Sequence, residues 1–332
     1  MKKIKILILK VLRKIYLYLK PKQYTWNYIN DPQIANNLIY DTLKTGEPCM
    51  IARFGSNELN AIVNYYGVKY TNHSSLDYIR DKSPMWWWNR KTMQLMQTCA
   101  GFFPITQSAL SRFGELMLND IKYLDILGSW RQEENYISEY FPLHMRKIRL
   151  LYLEPFFNKE PWTRILEGKR VLVIHPFVKQ MEQIYKTKRH LIFNNESVLP
   201  EFKLLTIQAV QSLGGDCSGF DNWFEALDWM KSEMDKVDFD IALIGCGAYG
   251  FPLAAHAKRT GHQAIHFGGC LQLLFGIKGN RWENPLYGAV SLGKKNAYNE
   301  LFNQYWEYPD KEYIPKTAAQ VENFCYWKKQ IK

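Results

Sequence analysis

The 332-residue sequence has no Cys-x-x-Cys pair and no group of Cys and His at zinc-ligand spacing. Its six cysteines, Cys49, Cys99, Cys217, Cys246, Cys270 and Cys325, therefore read as reduced thiols, mostly small buried hydrophobes of a cytosolic protein. There is no internal repeat and no low-complexity segment. With 47% apolar and 23% charged residues, disordered, collagenous and coiled-coil chains are excluded. Residues 1–20 contain no acid. They also lack the uninterrupted apolar run of a secretory signal and the 20 or so apolar residues of a spanning helix. A last absence lies late in the chain: after Gly250 the next carboxylate is Glu283.

Charge is the first positive signal. The net charge is +11, but Lys2, Lys3, Lys5, Lys10, Arg13, Lys14 and Lys20 supply seven of the 43 cations. The remaining 36 basic and 32 acidic residues leave +4 on the body. A nucleic-acid protein is expected to carry its excess on the fold, so no nucleic-acid partner is expected. On a helix of about 100° per residue, Ile4, Leu7, Ile8, Val11, Leu12, Ile15 and Leu19 share one face. Lys3, Lys10, Arg13, Lys14 and Lys20 share the other. Residues 1–22 therefore read as a basic amphipathic helix for an anionic membrane surface, with an ordinary docked helix as the alternative. The expected location is cytoplasmic, peripheral on the inner face of the cell membrane.

Residues 23–330 read as one α/β domain with an internal boundary near 150–168. Residues 48–54 and 122–128 are short strand candidates, 84–100 and 106–120 helices, and 129–168 irregular. From Lys169 the order becomes regular. Apolar β-branched runs at Arg170–His175, Lys203–Val210, Phe239–Gly245 and Gln263–Phe267 alternate with helical stretches. The last helical stretch opens at Leu271. That alternation predicts a Rossmann-like, mostly parallel sheet with flanking helices.

Gly245-Cys246-Gly247-Ala248-Tyr249-Gly250 fits the G-x-G-x-x-G pattern between a strand and a helix, a context that offers backbone N–H groups to phosphate. A dinucleotide site also needs an acid about 20 residues on for the ribose. The next strand ends instead in His266, Gly268 and Gly269. This favours a diphosphate ligand over NAD(P), and a structural tight turn is the remaining reading. Gln272 would line the strand ends, Lys278 and Arg281 would neutralise phosphate, and Trp282 would stack on a base or sugar. His175 ends another strand, with a core role favoured. At the first strand, Arg53-Phe54-Gly55-Ser56-Asn57-Glu58 opens a helix, with Ser56 or Asn57 as N-cap candidates. Glu58 suits the helix dipole there, or faces the diphosphate site with Arg53 as a base or cation ligand.

Taken together, the segment 51–58 resembles the R-F-G-D-G-E signature of bacterial GT-D type glycosyltransferases. The segment 239–282 resembles the C-terminal signature of related proteins: a strand, Cys-Gly-Ala-Tyr-Gly, Ile-His-Phe-Gly-Gly, then Gln-Leu-Leu-Phe-Gly-Ile-Lys-Gly. The resemblance implies a GT-D architecture and transfer of a sugar from a nucleoside diphosphate donor, UDP favoured. The acceptor would be a glycan or lipid-linked glycan of surface polysaccharide or glycoprotein biosynthesis. It implies Glu58 and Arg53 as catalytic, with Gly55, Ser56, Gly245, Gly247, Tyr249, Gly250, His266, Gly268, Gly269, Gln272, Lys278, Arg281 and Trp282 around the donor. The family pairs an Asp with a Glu for a divalent cation, Mn2+ or Mg2+. Here Ser56 stands at the Asp position and Glu58 alone of the pair is kept, so the expected cation binds weakly, is completed by another residue, or is absent. An NAD(P)-dependent oxidoreductase and a non-catalytic nucleotide-sugar-binding or scaffold protein are the alternatives.

Overall fold

Apolar strands buried between two helical layers organise the chain. The computed structural model describes residues 3–23, 25–215 and 219–329, so Lys2 and Cys217 lie outside the described residues. In chain order the main elements are α1 (Lys3–Leu19), α2 (Pro32–Lys44), β1 (Met50–Ala52), α3 (Ser56–Tyr70), α4 (Ser75–Ile79), α5 (Arg90–Ala100), α6 (Gln107–Ile121), β2 (Ile126–Ser129) and β3 (Arg146–Arg149). There follow β4 (Arg170–His175), α7 (Val178–Ile192), β5 (Lys203–Gln208), α8 (Trp223–Asp235), β6 (Ile241–Ile244), α9 (Gly250–Arg259), β7 (Gln263–His266) and α10 (Leu271–Leu274).

The seven strands form one sheet in the order β3-β2-β1-β7-β6-β4-β5, with every pairing parallel. The contact between β1 and β7 joins the two halves of the chain into this one sheet. From β4 the chain moves outward to β5, then returns to β6 on the other side. Such a reversal opens a crevice at the carboxyl ends of the strands. Successive residues alternate between two cores. Ala52, Leu127, Leu172, Ile174, Ala242 and Ile244 face α3, α6, α8 and α9. Ile51, Ile126, Val171, Val173, Leu243 and Ile265 face α2, α7 and α10. Both faces are covered, which is why these strands read as continuous apolar runs.

Four expectations change. The helix expected over 84–100 begins only at Arg90, because Asn64 Nδ2 binds the Met85 and Trp87 carbonyls and Asn89 caps the helix. The stretch 129–168 holds a strand, β3, on the sheet edge; of Arg-Lys-Ile-Arg only Ile148 is buried, so no apolar run announces it. The helix from Leu271 is a single turn closed at Gly276. The N-cap of α3 is Gly55, with no side-chain cap from Ser56 or Asn57.

Helix α1 docks through an unexpected stripe. Leu9 is buried, and Arg13 turns inward to Asp81, Tyr136 and the Tyr78 carbonyl. Arg13 is thus an anchor and no part of a solvated basic face. The expected apolar face stays in solvent: Leu7 is 64% exposed, Ile15 50% and Leu19 71%. No helix among the described residues is long and apolar enough to cross a membrane.

Candidate active site

A cavity of about 570 Å3 opens at the carboxyl ends of β1, β2, β4, β6 and β7. It is lined by Arg53, Gly55, Ser56 and Glu58 from the β1–α3 turn and by Gly245, Gly247 and Tyr249 after β6. His266, Gly268, Gly269, Gln272 and Arg281 follow β7, and His175 ends β4. Elements more than 200 residues apart thus converge on one space, at the place a parallel sheet reserves for ligands.

The β1–α3 turn is built around Glu58. A Cβ added to Gly55 would overlap the Glu58 carboxylate, so glycine is what lets this side chain fold back over the helix start. Burial raises the Glu58 carboxyl above its usual range, while Arg53 opposes the rise. Arg53 is the most available cation here. Its buried Nε has no hydrogen-bond partner, and its guanidinium lies 5.9 Å from the Trp130 ring centre. The Trp130 indole N–H donates to the Phe54 carbonyl at 3.0 Å, and its backbone N–H donates to Glu134 at 3.1 Å. These two bonds fix the tryptophan over the arginine.

The wall after β6 is rigid. Tyr249 stacks on Trp223 at 4.9 Å and 10°, and its hydroxyl lies 2.8 Å from that of Ser212. Both strand-end histidines are neutral, since burial lowers each to about 3. His175 Nδ1 accepts the Phe177 N–H at 3.0 Å, and neutral His266 Nδ1 donates to the Ile244 carbonyl at 3.3 Å. Neither ring supplies positive charge to a ligand at neutral pH.

Three expected site residues lie elsewhere. Trp282 is completely buried in the core, so it cannot stack on a base or sugar. Lys278 points to Glu283 at 3.7 Å and to the rings of Tyr308 and Phe302, away from the cavity. Gly250 is off the lining; a Cβ there would overlap the His266 ring, so its role is close packing of α9 on β7.

Sequence reasoning missed the roof. The segment after Glu283 returns over the strand ends, held where Gln272 Nε2 donates to the Tyr326 carbonyl at 3.1 Å and Arg281 N–H donates to the Cys325 carbonyl at 3.0 Å. The Tyr326 ring closes on Gly269. Arg281 pairs with Glu322 at 2.5 Å. The larger omission is Glu154, just past β3. Its buried carboxylate accepts the Tyr298 hydroxyl at 2.5 Å and is lifted by burial to about 7. Arg53 and Arg281 both favour its ionised form and so oppose that rise. A lone Glu in a charged, irregular stretch carries no sequence signal.

Glu154 yields a stability prediction. Its folded value stands above the ordinary 4.5, so the folded state holds the proton more tightly than the unfolded chain. Stability should therefore fall as pH rises through the window from 4.5 to about 7, by on the order of 3 kcal/mol at most. Glu154→Gln, whose amide oxygen can still accept from Tyr298, should flatten that slope in melting curves recorded across the window. An unchanged slope would count against a buried, protonatable Glu154.

A divalent cation is what the family resemblance adds to Glu58. Among the described residues, no group of three or more His, Cys, Asp or Glu converges as a metal-ion cage. At 51–58 the donors are one carboxylate and the Ser56 hydroxyl, a weaker ligand, beside the cationic Arg53. By itself this turn does not supply the ligand set of a Mn2+ or Mg2+ held by protein donors alone.

Two solved structures align with the chain in outline. One is described as a selenomethionine-substituted structure of domain of unknown function 1792, at 12% identity and a TM-score of 0.35. The other is described as the highly conserved domain of unknown function 1792 with a distinct glycosyltransferase fold, at 13% identity and a TM-score of 0.34. Each alignment covers 85% of this chain and 94% of the other. No curated protein matches the chain. A family model, the GT-D fold-like domain, matches residues 131–274, taking in β3 to β7 and α10 and leaving the β1–α3 turn outside. Over residues 131–274 the chain is therefore similar to the GT-D fold-like domain, the fold that its signatures at 51–58 and 239–282 resemble.

Proposed function

We propose that the protein is a glycosyltransferase that moves a sugar from a nucleoside diphosphate donor, UDP favoured, to a glycan acceptor. The observation that carries this reading is that Arg53, with its unpartnered Nε, and buried Glu58 line one strand-end cavity. The GT-D fold match supports it independently. In the reaction, the bond between the sugar C1 and the β-phosphate oxygen breaks, and its electron pair stays on the diphosphate. The acceptor hydroxyl oxygen forms the new bond to C1. Glu58 takes the hydroxyl proton and returns it to solvent. A desolvated carboxylate with a raised pKa is a stronger base than a surface one. Arg53 answers the charge that develops on the leaving diphosphate.

A dehydrogenase is the competing class. The end of β7 presents buried, neutral His266 where a ribose-binding acid would stand, which favours the transferase. A thermal-shift panel of UDP, GDP, CMP and NADH separates the classes. Stabilisation by UDP or GDP is expected; stabilisation by NADH alone would reject the transferase.

The acceptor reading is a lipid-linked glycan at the cytoplasmic face of the cell membrane. Helix α1 presents Ile4, Leu7, Ile8, Val11, Leu12, Ile15 and Leu19 to solvent, flanked by Lys3, Lys10, Lys14 and Lys20. Each such cation contributes about 1 kcal/mol near an anionic surface. Trp26 and Tyr28 line the cavity. Trp26 lies only seven residues beyond the end of α1, a reach of at most about 25 Å. Ile8→Glu with Leu12→Glu leaves Leu9 and Arg13 docked and should abolish flotation on phosphatidylserine-containing liposomes. Flotation equal to wild type would remove the membrane role.

A further inference from the structure

We infer that Arg53 and Arg281 together bind the donor diphosphate and neutralise it on departure, in place of a divalent cation. This rests on the transferase reading and assigns the charge chemistry of its site. Three observations converge on it. First, the β1–α3 turn offers a cation only one carboxylate, Glu58, beside the neutral oxygens of Ser56 and Asn57, and no group of three or more His, Cys, Asp or Glu converges among the described residues.

Second, the position that a cation would occupy is close to a fixed positive charge. Arg53 and Glu58 line the same cavity, and the buried Arg53 Nε carries an N–H with no acceptor. An unmet buried donor costs about 1–3 kcal/mol and more when charged, so a phosphate oxygen that fills it recovers that cost. A second cation docked on Glu58 would face repulsion from this guanidinium.

Third, Arg281 lines the same cavity as Arg53. It lies 4.9 Å from the Tyr326 ring centre, which pins it under the roof. Arg53 lies against Gly268, and Arg281 lies against the Tyr326 ring that closes on Gly269, so the two side chains flank adjacent glycines. Guanidinium groups stay charged at any working pH and offer five donors each. Arg281 can therefore keep Glu322 on one edge and present the other edge to phosphate. Lys278, expected from sequence to share this task, is held by Glu283 and is excluded from it.

The test is calorimetric titration of UDP and GDP into the full chain, once in EDTA and once in Mn2+. Equal affinity in both buffers is expected. Arg53→Met and Arg281→Met should each weaken binding by roughly 10- to 100-fold in EDTA, as loss of charge-assisted bonds implies. Arg281→Lys, which keeps the charge, should lose less. Binding that appears only with Mn2+ would overturn the inference and leave the transferase reading standing. Binding in EDTA that survives both methionine substitutions would also overturn it. Failure of every nucleotide in both buffers would remove the transferase reading itself.

Discussion

Arg53→Met should lower turnover of a nucleoside diphosphate sugar by about 10²- to 10³-fold, the usual cost of removing one group aimed at developing charge. The size follows from the setting. Arg53 is a half-buried cation under Trp130, its Nε unpartnered, at the mouth of the sheet. Partial burial lowers the screening of its field on a leaving diphosphate. The substitution keeps side-chain length and apolar bulk, so the contact with Trp130 survives. Melting temperature should therefore hold or rise, because a buried unmet N–H disappears with the guanidinium. Steady-state kinetics and a melting curve on the same preparation check both halves. A fall in melting temperature large enough to explain the lost activity would make Arg53 a structural residue.

Glu58→Gln should cost about 10²- to 10⁴-fold in kcat, the range for loss of a positioned base. Glutamine fills the same space above Gly55, so the tight turn at the start of α3 is preserved. It also removes a charge that burial disfavours, so folding is not weakened. UDP affinity should stay the same or improve, since a carboxylate no longer faces the diphosphate. The signature is thus a kcat loss with intact binding. Wild-type kcat in the variant would take Glu58 out of the chemistry.

How far the sequence alone reached depended on whether a residue's role is local. β4, β6 and β7 were legible because each is buried on both faces and must be apolar throughout. β3 was not, because an edge strand of Arg-Lys-Ile-Arg buries only one side chain. In the site, Arg53, Glu58, Gly245, His266 and Gly268 stand at strand ends, where topology alone directs side chains to a ligand. Lys278 and Trp282 were misassigned because they follow the glycine-rich turn closely in sequence. Chain direction then carries them under the roof, where Glu283 and the core claim them. Glu154, Trp130 and Tyr326 reach the cavity from distant segments. Only the long-range packing of the segment after Glu283 and the Trp130–Phe54 bond bring them in, and neither has a local pattern.

Donor hydrolysis tests the central claim most directly. Purified protein is incubated with UDP-, GDP- and CMP-sugars in parallel with NADH and NAD+, and release of nucleotide is followed. Release of UDP or GDP, reduced by both Arg53→Met and Glu58→Gln in folded protein, is the predicted result. No release from any nucleotide sugar, together with binding or turnover of the nicotinamide dinucleotide, would contradict it.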